Sequence, residues 1–272
     1  KLYNRLVAHT DNFFIIAAIG AFVPGYLMLV SKKLIPSLAL VEDSQVDELK
    51  WLIQKCSNAL SKTYSKNVTI FEHGMCACIG GLDRAHLHIM PMNKVADEKI
   101  IKESINRVLK KRKSGISSVE VDGYKFTNIH DINEIINGSE KDTYKISGRQ
   151  LQFEDIQSNL DINNWPLSPR PLVTKGGHYV YFKNSTNASF LSDNNFQTQL
   201  GREIIFEIEK VATPSVRLMS DEILKKNEYA NIWKWQEFAF KENIYKTMKD
   251  IAPELEKVTD NNFNFVSFAN KN

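Results

Sequence analysis

From Phe13 to Val30 (FFIIAAIGAFVPGYLMLV) the chain carries no charged side chain, and this run constrains the fold more than any other feature. Its length reaches the ~18 residues at which a membrane-spanning helix is first suspected. Gly20 and the Pro24-Gly25 pair interrupt it. Proline lacks the N–H that a helix interior needs, and Pro-Gly is a turn signal. The run therefore reads as two buried strands joined by a short connection. Nothing like a secretory n-region and cleavage site precedes it, and three cysteines are too few for a disulfide framework. The expectation is a cytoplasmic protein that makes no membrane contact.

Beyond the strand pair, apolar residues at helical spacing (Val46, Leu49, Leu52, Ile53, Cys56, Leu60) predict a helix over 45–61, with Ser44 as its N-cap. Residues 67–72 (NVTIFE) read as a strand. A glycine-bearing loop over 73–81 follows, and the alternation of 85–90 (AHLHIM) reads as a strand that ends at Pro91. A second helix is expected over 96–113, its basic end at Lys110–Lys113 a solvated final turn favoured by the helix dipole. Asp122-Gly123 marks a hairpin between 119–121 and 124–126. Residues 155–171 read as a long loop, 179–182 as a strand, and 195–211 as a helix on which Arg202 is an ordinary surface arginine. Trp233 and Trp235 fall in a last helical stretch ending near Ile251. The whole suggests an α+β fold in which residues 1–113 form one domain and 114–272 an extension that completes or covers its site.

The chemistry concentrates between Glu72 and Pro91. His86 and His88, two apart on a strand, point to the same face. The glycines before them, Gly80 and Gly81, let backbone N–H groups approach an anion closely. An imidazole beside such a cradle can attack phosphorus and form a covalent phosphoramidate, while its neighbour orients it or protonates the leaving oxygen. A net charge of +3 suits a phosphorylated ligand and is too weak to announce nucleic-acid binding. His73 enters the same loop. His73, Cys76, Cys78, His86 and His88 also offer donors soft and numerous enough for tetrahedral zinc. Cys-x-Cys is a poor chelating spacing, however, and a zinc ion would occupy the histidines the chemistry needs, so no metal and no cofactor is expected.

The segment Arg84-Ala85-His86-Leu87-His88-Ile89-Met90-Pro91 resembles the histidine triad motif, His-φ-His-φ-His-φ-φ, which is followed by Pro in many members. The run from Phe13 to Lys33 resembles that family's N-terminal strand pair, and Glu72-His73-Gly74 followed by Asp83 resembles a large group of histidine-triad-like proteins. The likeness covers roughly the first 110 residues. It implies an antiparallel sheet of about five strands with two helices packed on it, and a homodimer. It further implies a nucleotidyl hydrolase or transferase acting on a nucleoside phosphate ester, anhydride or phosphoramidate. In this register His86 is the nucleophile and His88 sits near the phosphate and leaving group. Arg84 stands in place of the first histidine, where it can clamp phosphate. Gly80, Gly81, His73, Asp83, Asn12, Phe13, Tyr26 and Lys32 would surround the nucleotide. A register shifted by two residues would make His88 the nucleophile and Met90 the third member. The chain departs from the family pattern at Arg84, at Tyr26 (often a histidine), at Ala18 (often the aspartate that holds ribose) and at Gly81 (often a phosphate-contacting serine). These departures leave a second reading, a catalytically degenerate nucleotide- or protein-binding module.

Overall fold

The computed structural model describes residues 5–33, 35, 38, 41–74, 84–93, 100, 103–104, 107–108, 119–121, 124–126, 143–146, 149–152, 179–183, 188–192, 200–214, 216, 240–257 and 262–268. The elements are β1 (Leu6–His9), β2 (Phe13–Ala17), β3 (Leu27–Ser31), α1 (Val46–Tyr64), β4 (Asn67–Gly74), β5 (His86–Met92), β6 (Val119–Val121), β7 (Tyr124–Phe126), β8 (Thr143–Ile146), β9 (Arg149–Gln152), β10 (Tyr179–Lys183), β11 (Ala188–Ser192), α2 (Leu200–Ala212), α3 (Lys241–Glu256) and β12 (Val266–Ser267). The fold is α+β, as expected. Its main sheet runs β11-β10-β4-β5-β3-β2-β1-β12 and every pairing in it is antiparallel. Five of these strands, β1 to β5, come from residues 1–113 and form its middle; β1 is not expected from the sequence. Strands from beyond residue 114 extend the sheet at both edges, so among the described residues it has eight strands where about five were expected. Among the described residues, β6–β7 and β8–β9 form separate two-stranded hairpins.

The apolar run folds as its interruptions demand. Phe13, Ile15 and Ala17 on β2 and Leu27 and Leu29 on β3 are buried, and these residues pair across the two strands together with Leu87 and Ile89 of β5. They form one face of the sheet, packed against α1 and α3, which also pack on each other. No helix among the described residues is long and apolar enough to cross a membrane. The opposite face carries Phe14, Ile16, Met28 and Val30, all only partly buried. Part of that face is covered by α2, whose Gly201 lies against Phe71 of β4 and Val180 of β10.

Buried carboxylates hold the connections at the ends of the strands. Glu48 accepts from the Asn12 backbone at 3.3 Å and from its side-chain amide at 2.6 Å, and Glu72 accepts from the Leu38 N–H at 2.8 Å. Glu209 accepts from the Asn93 backbone at 3.1 Å and its amide at 2.7 Å, which ties α2 to the end of β5. Charges this deep are stable only when hydrogen-bonded, so each carboxylate fixes the local backbone it satisfies.

Several boundaries differ from expectation. Helix α1 runs on to Tyr64, and β4 continues to Gly74, so His73 lies in that strand opposite Val180 and not in the loop after it. Ser44 lies in a 3-10 turn over Asp43–Gln45, and α1 begins at Val46 after Gln45, with no side-chain cap. The preceding turn takes the place of the cap. Strand β5 does not end at Pro91 but continues to Met92, with Pro91 opposite Val68. A proline is tolerated there because β3 pairs with β5 only as far as Ile89, so a missing N–H on that side breaks no ladder bond. Of the second helix expected over 96–113, only residues 100, 103–104 and 107–108 are described, and they are helical. The stretch with Trp233 and Trp235 lies outside the described residues, as does the loop over 155–171.

The turn between β2 and β3 closes on the Pro91 ring. Gly25 has φ +88°, and a Cβ there would stand 2.5 Å from a Tyr64 ring carbon and 2.7 Å from Pro91 Cγ. Gly25 N–H also donates to the Thr247 hydroxyl of α3 at 2.7 Å. Gly25→Ala combines a left-handed backbone with overpacking and is expected to cost about 2–4 kcal/mol, read as a lowered urea midpoint.

Candidate active site

Strand alternation places His86 and His88 together on the partly covered face. Their register partners there are Val30 and Met28 on β3, and on the other side His88 faces Phe71 of β4. The two imidazoles lie 4.9 Å apart, inclined at 76°. They differ in access. His88 is 2% exposed, whereas His86 is half-buried. Phe71 stacks flat on His88 at 4.1 Å and 9°, and Tyr26 meets it edge-on at 5.7 Å. Met90, the third member in the shifted register, is fully buried. Of the two rings, His86 is the less buried among the described residues.

The hydrogen bonds of His86 decide which of its nitrogens can react. Its Nδ1 lies 2.9 Å from the Arg84 carbonyl oxygen. A carbonyl only accepts, so Nδ1 carries the hydrogen and Nε2 of the neutral ring carries a lone pair. Desolvation pulls the His86 pKa from 6.5 down to about 4, with the Arg202 charge adding to the effect and the Arg84 hydrogen bond opposing it. The ring is therefore neutral at pH 7. His88 is held well below its ordinary pKa, first by desolvation and then by the nearby charges of Arg202, His86 and His73. Its Nδ1 lies 2.9 Å from the Tyr26 hydroxyl.

The other expected residues divide into two groups. Tyr26 and His73 are brought to the pair. Tyr26 is fully buried and bonded to His88, and His73 stands two residues from Phe71 on the same face of β4. Arg84 adjoins the pair, but its guanidinium donates to the carbonyls of Ser31 and Lys32, fastening the end of β3 to the start of β5. Lys32 donates to the Thr10 carbonyl and lies over the Phe14 ring at 4.9 Å. Asn12 is committed to Glu48, and its Oδ1 accepts from Gln45 at 2.8 Å. Phe13 corrects an expectation. It is 1% exposed and pairs with Ser31 on the face opposite the histidines, so it serves the core and cannot line a pocket over them. Gly80, Gly81, Asp83, Cys76 and Cys78 lie outside the described residues. Cys56 is a buried thiol of α1.

Arg202 is the residue the sequence reading misplaced. It is not a surface arginine but is 9% exposed, with Nη1 donating to the Ile19 carbonyl at 3.2 Å. Its Nη2 is 3.5 Å from Met28 Sδ, and its guanidinium carbon is 5.8 Å from the centre of the Tyr26 ring. Helical spacing gave one signal: Arg202 shares a helix face with Ile205 and Phe206. Nothing in the sequence showed that this face turns toward His88.

Compared with known proteins, the chain matches no protein-family model and no curated sequence.

Because the folded pKa of His86 lies below its ordinary 6.5, the unfolded chain binds more protons than the native one between about pH 6.5 and 4. Native stability is fully present above that window and falls as the pH drops through it. Urea midpoints measured from pH 7 to pH 4 are expected to decline, and His86→Asn is expected to flatten part of the decline.

Proposed function

We propose that this chain is a nucleotidyl hydrolase or transferase working through a nucleotidyl-histidine intermediate. The observation that carries the reading is the state of His86: a neutral, half-buried imidazole whose Nδ1–H is held by the Arg84 carbonyl, so that Nε2 bears the lone pair. That is the state a phosphorus-attacking imidazole needs. The substrate is a nucleoside phosphate ester, anhydride or phosphoramidate. His86 Nε2 forms a bond to the α-phosphorus as the bond from phosphorus to the leaving group breaks. The leaving group departs with that electron pair and takes a proton from water, with His88 beside it assisting the departure. Water or a second acceptor then attacks phosphorus, releases its proton to solvent, and returns the N–P electron pair to His86. Arg202, whose charge both imidazoles feel, offsets the negative charge that develops. The resemblance to histidine triad proteins supports the same chemistry and adds a homodimer in the cytoplasm.

A second reading, a nucleotide- or protein-binding module without turnover, is favoured by one set of contacts. Asn12, Lys32 and Arg84, each expected at the nucleotide, spend their polar groups on internal bonds.

Trapping separates the two. Incubation with radiolabelled adenylylated and guanylylated substrates, followed by a quench in base, is expected to leave an acid-labile nucleotide on the wild-type protein. His86→Ala is expected to abolish the adduct, and His88→Ala to retain it while slowing its formation. Tight nucleotide binding with neither adduct nor turnover across the substrate panel would establish the module instead.

A further inference from the structure

We infer that helix α3 sets where Tyr26 meets the second histidine: Asn243 and Thr247 are positioning residues for His88, acting through the connection between β2 and β3 that carries the tyrosine. The placement follows from the contacts, and only its catalytic use rests on the function proposed above.

Strand β2 ends at Ala17 and β3 begins at Leu27. The Ala18 N–H donates to the Tyr26 carbonyl at 3.0 Å, which closes the base of the connection. Ala21, Phe22 and Val23 beyond it are buried, and so is Tyr26. Backbone polar groups this deep need partners, and here the sheet ladder no longer supplies them. Helix α3 does. The Asn243 side-chain amide donates to the Ala21 carbonyl at 2.8 Å, and the Gly25 N–H donates to the Thr247 hydroxyl at 2.7 Å. Both partners lie 222 residues further along the chain.

The two contacts form one bridge. The Thr247 hydroxyl gives its own proton to the Asn243 carbonyl at 2.6 Å, one helical turn back. A hydroxyl has a single hydrogen, so toward Gly25 this oxygen can only accept, which is what the N–H requires. Asn243 is held in turn at the start of α3, its N–H donating to the Phe240 carbonyl at 2.9 Å. On its other side Gly25 faces the Tyr64 ring and Pro91, and the Thr247 bond sets how closely the turn sits against them.

Tyr26 follows directly. Only two torsions separate its backbone from its rigid ring, so a shift at Gly25 is carried to the hydroxyl and not absorbed on the way. That hydroxyl lies 2.9 Å from His88 Nδ1, and the ring meets the imidazole edge-on at 5.7 Å. Hydrogen bonds weaken steeply with misalignment, so His88 registers a small displacement. Phe71 and His86, which also contact the His88 ring, are placed by the sheet itself. On the histidine face α2 holds the same connection, through Arg202 on the Ile19 carbonyl and Phe206 edge-on to Phe22 at 5.1 Å. Helix α3 packs on the opposite face of the sheet, yet it reaches one of the histidines through this connection.

Two-bond 1H–15N correlation spectra of the full, 15N-labelled chain at pH 7 read the His88 ring without any substrate. Tyr26→Phe, which removes the phenol hydroxyl, defines the His88 Nδ1 shift that accompanies loss of the bond. Thr247→Val keeps the shape of the side chain and takes away its hydroxyl, and is expected to move His88 Nδ1 at least half-way to that position. Asn243→Ala is expected to move it in the same direction, and Thr247→Ser, which keeps the hydroxyl, to restore the wild-type position. Ile251→Val weakens the packing of α3 and keeps both hydrogen bonds, and is expected to leave His88 in place. An unmoved His88 in folded Thr247→Val or in folded Asn243→Ala overturns the inference, as does a shift in Ile251→Val as large as that in Thr247→Val. A missing nucleotide adduct would sink the proposed function and leave this placement standing, whereas an unmoved His88 would sink the placement and leave the adduct free to form.

Discussion

Because β5 is paired on both edges, to β3 and to β4, its register cannot slip by one residue without throwing Leu87 and Ile89 out of the core and His86 and His88 into it. Each of those apolar side chains is worth ~1.5–3 kcal/mol of burial, so the slip is heavily disfavoured. The same alternation that secures the core on one face delivers two imidazoles side by side on the other. Their different fates then depend on what covers them. His88 sits under Phe71 and Tyr26, and His86, next to it on the same face, is less deeply buried. A single sheet face thus carries two rings of different burial a strand repeat apart.

Much of this was legible in the sequence, for definite reasons. The uncharged run breaks in the stretch that holds Gly20 and Pro24-Gly25, both turn signals, and β2 and β3 pair across that connection. The helical spacing of Leu49, Leu52, Ile53, Cys56 and Leu60 matches the buried face of α1. The period-two pattern of His86 to Met90 set the faces of β5, and Asp122-Gly123 set the hairpin of β6 and β7. These are local signals, written in neighbours a few residues apart.

What the sequence did not disclose is long-range. Nothing in residues 179–192 says that they pair beside β4, or that two residues near position 267 add to the far edge. Tertiary neighbours also override local rules, as at Pro91, where the end of β3 removes the penalty that proline would otherwise carry. Arg202 shows the same limit. Its helix could be recognised, but its burial depends on Ile19, Tyr26 and Met28, more than 170 residues away. The site is accordingly a joint product of both halves of the chain.

The pairing of Ala8 with Ser267 has a bearing on how the protein is made. Emerging from the ribosome, β1 waits for about 260 further residues before the strand that covers its outer edge is made. Contacts of such separation close late and carry a large loop-closure entropy. Until then the early strands present an unpaired border to whatever else is nearby in the cell. Speed of release and protection of the nascent chain, more than the final balance of energies, would govern how much of it reaches the native state.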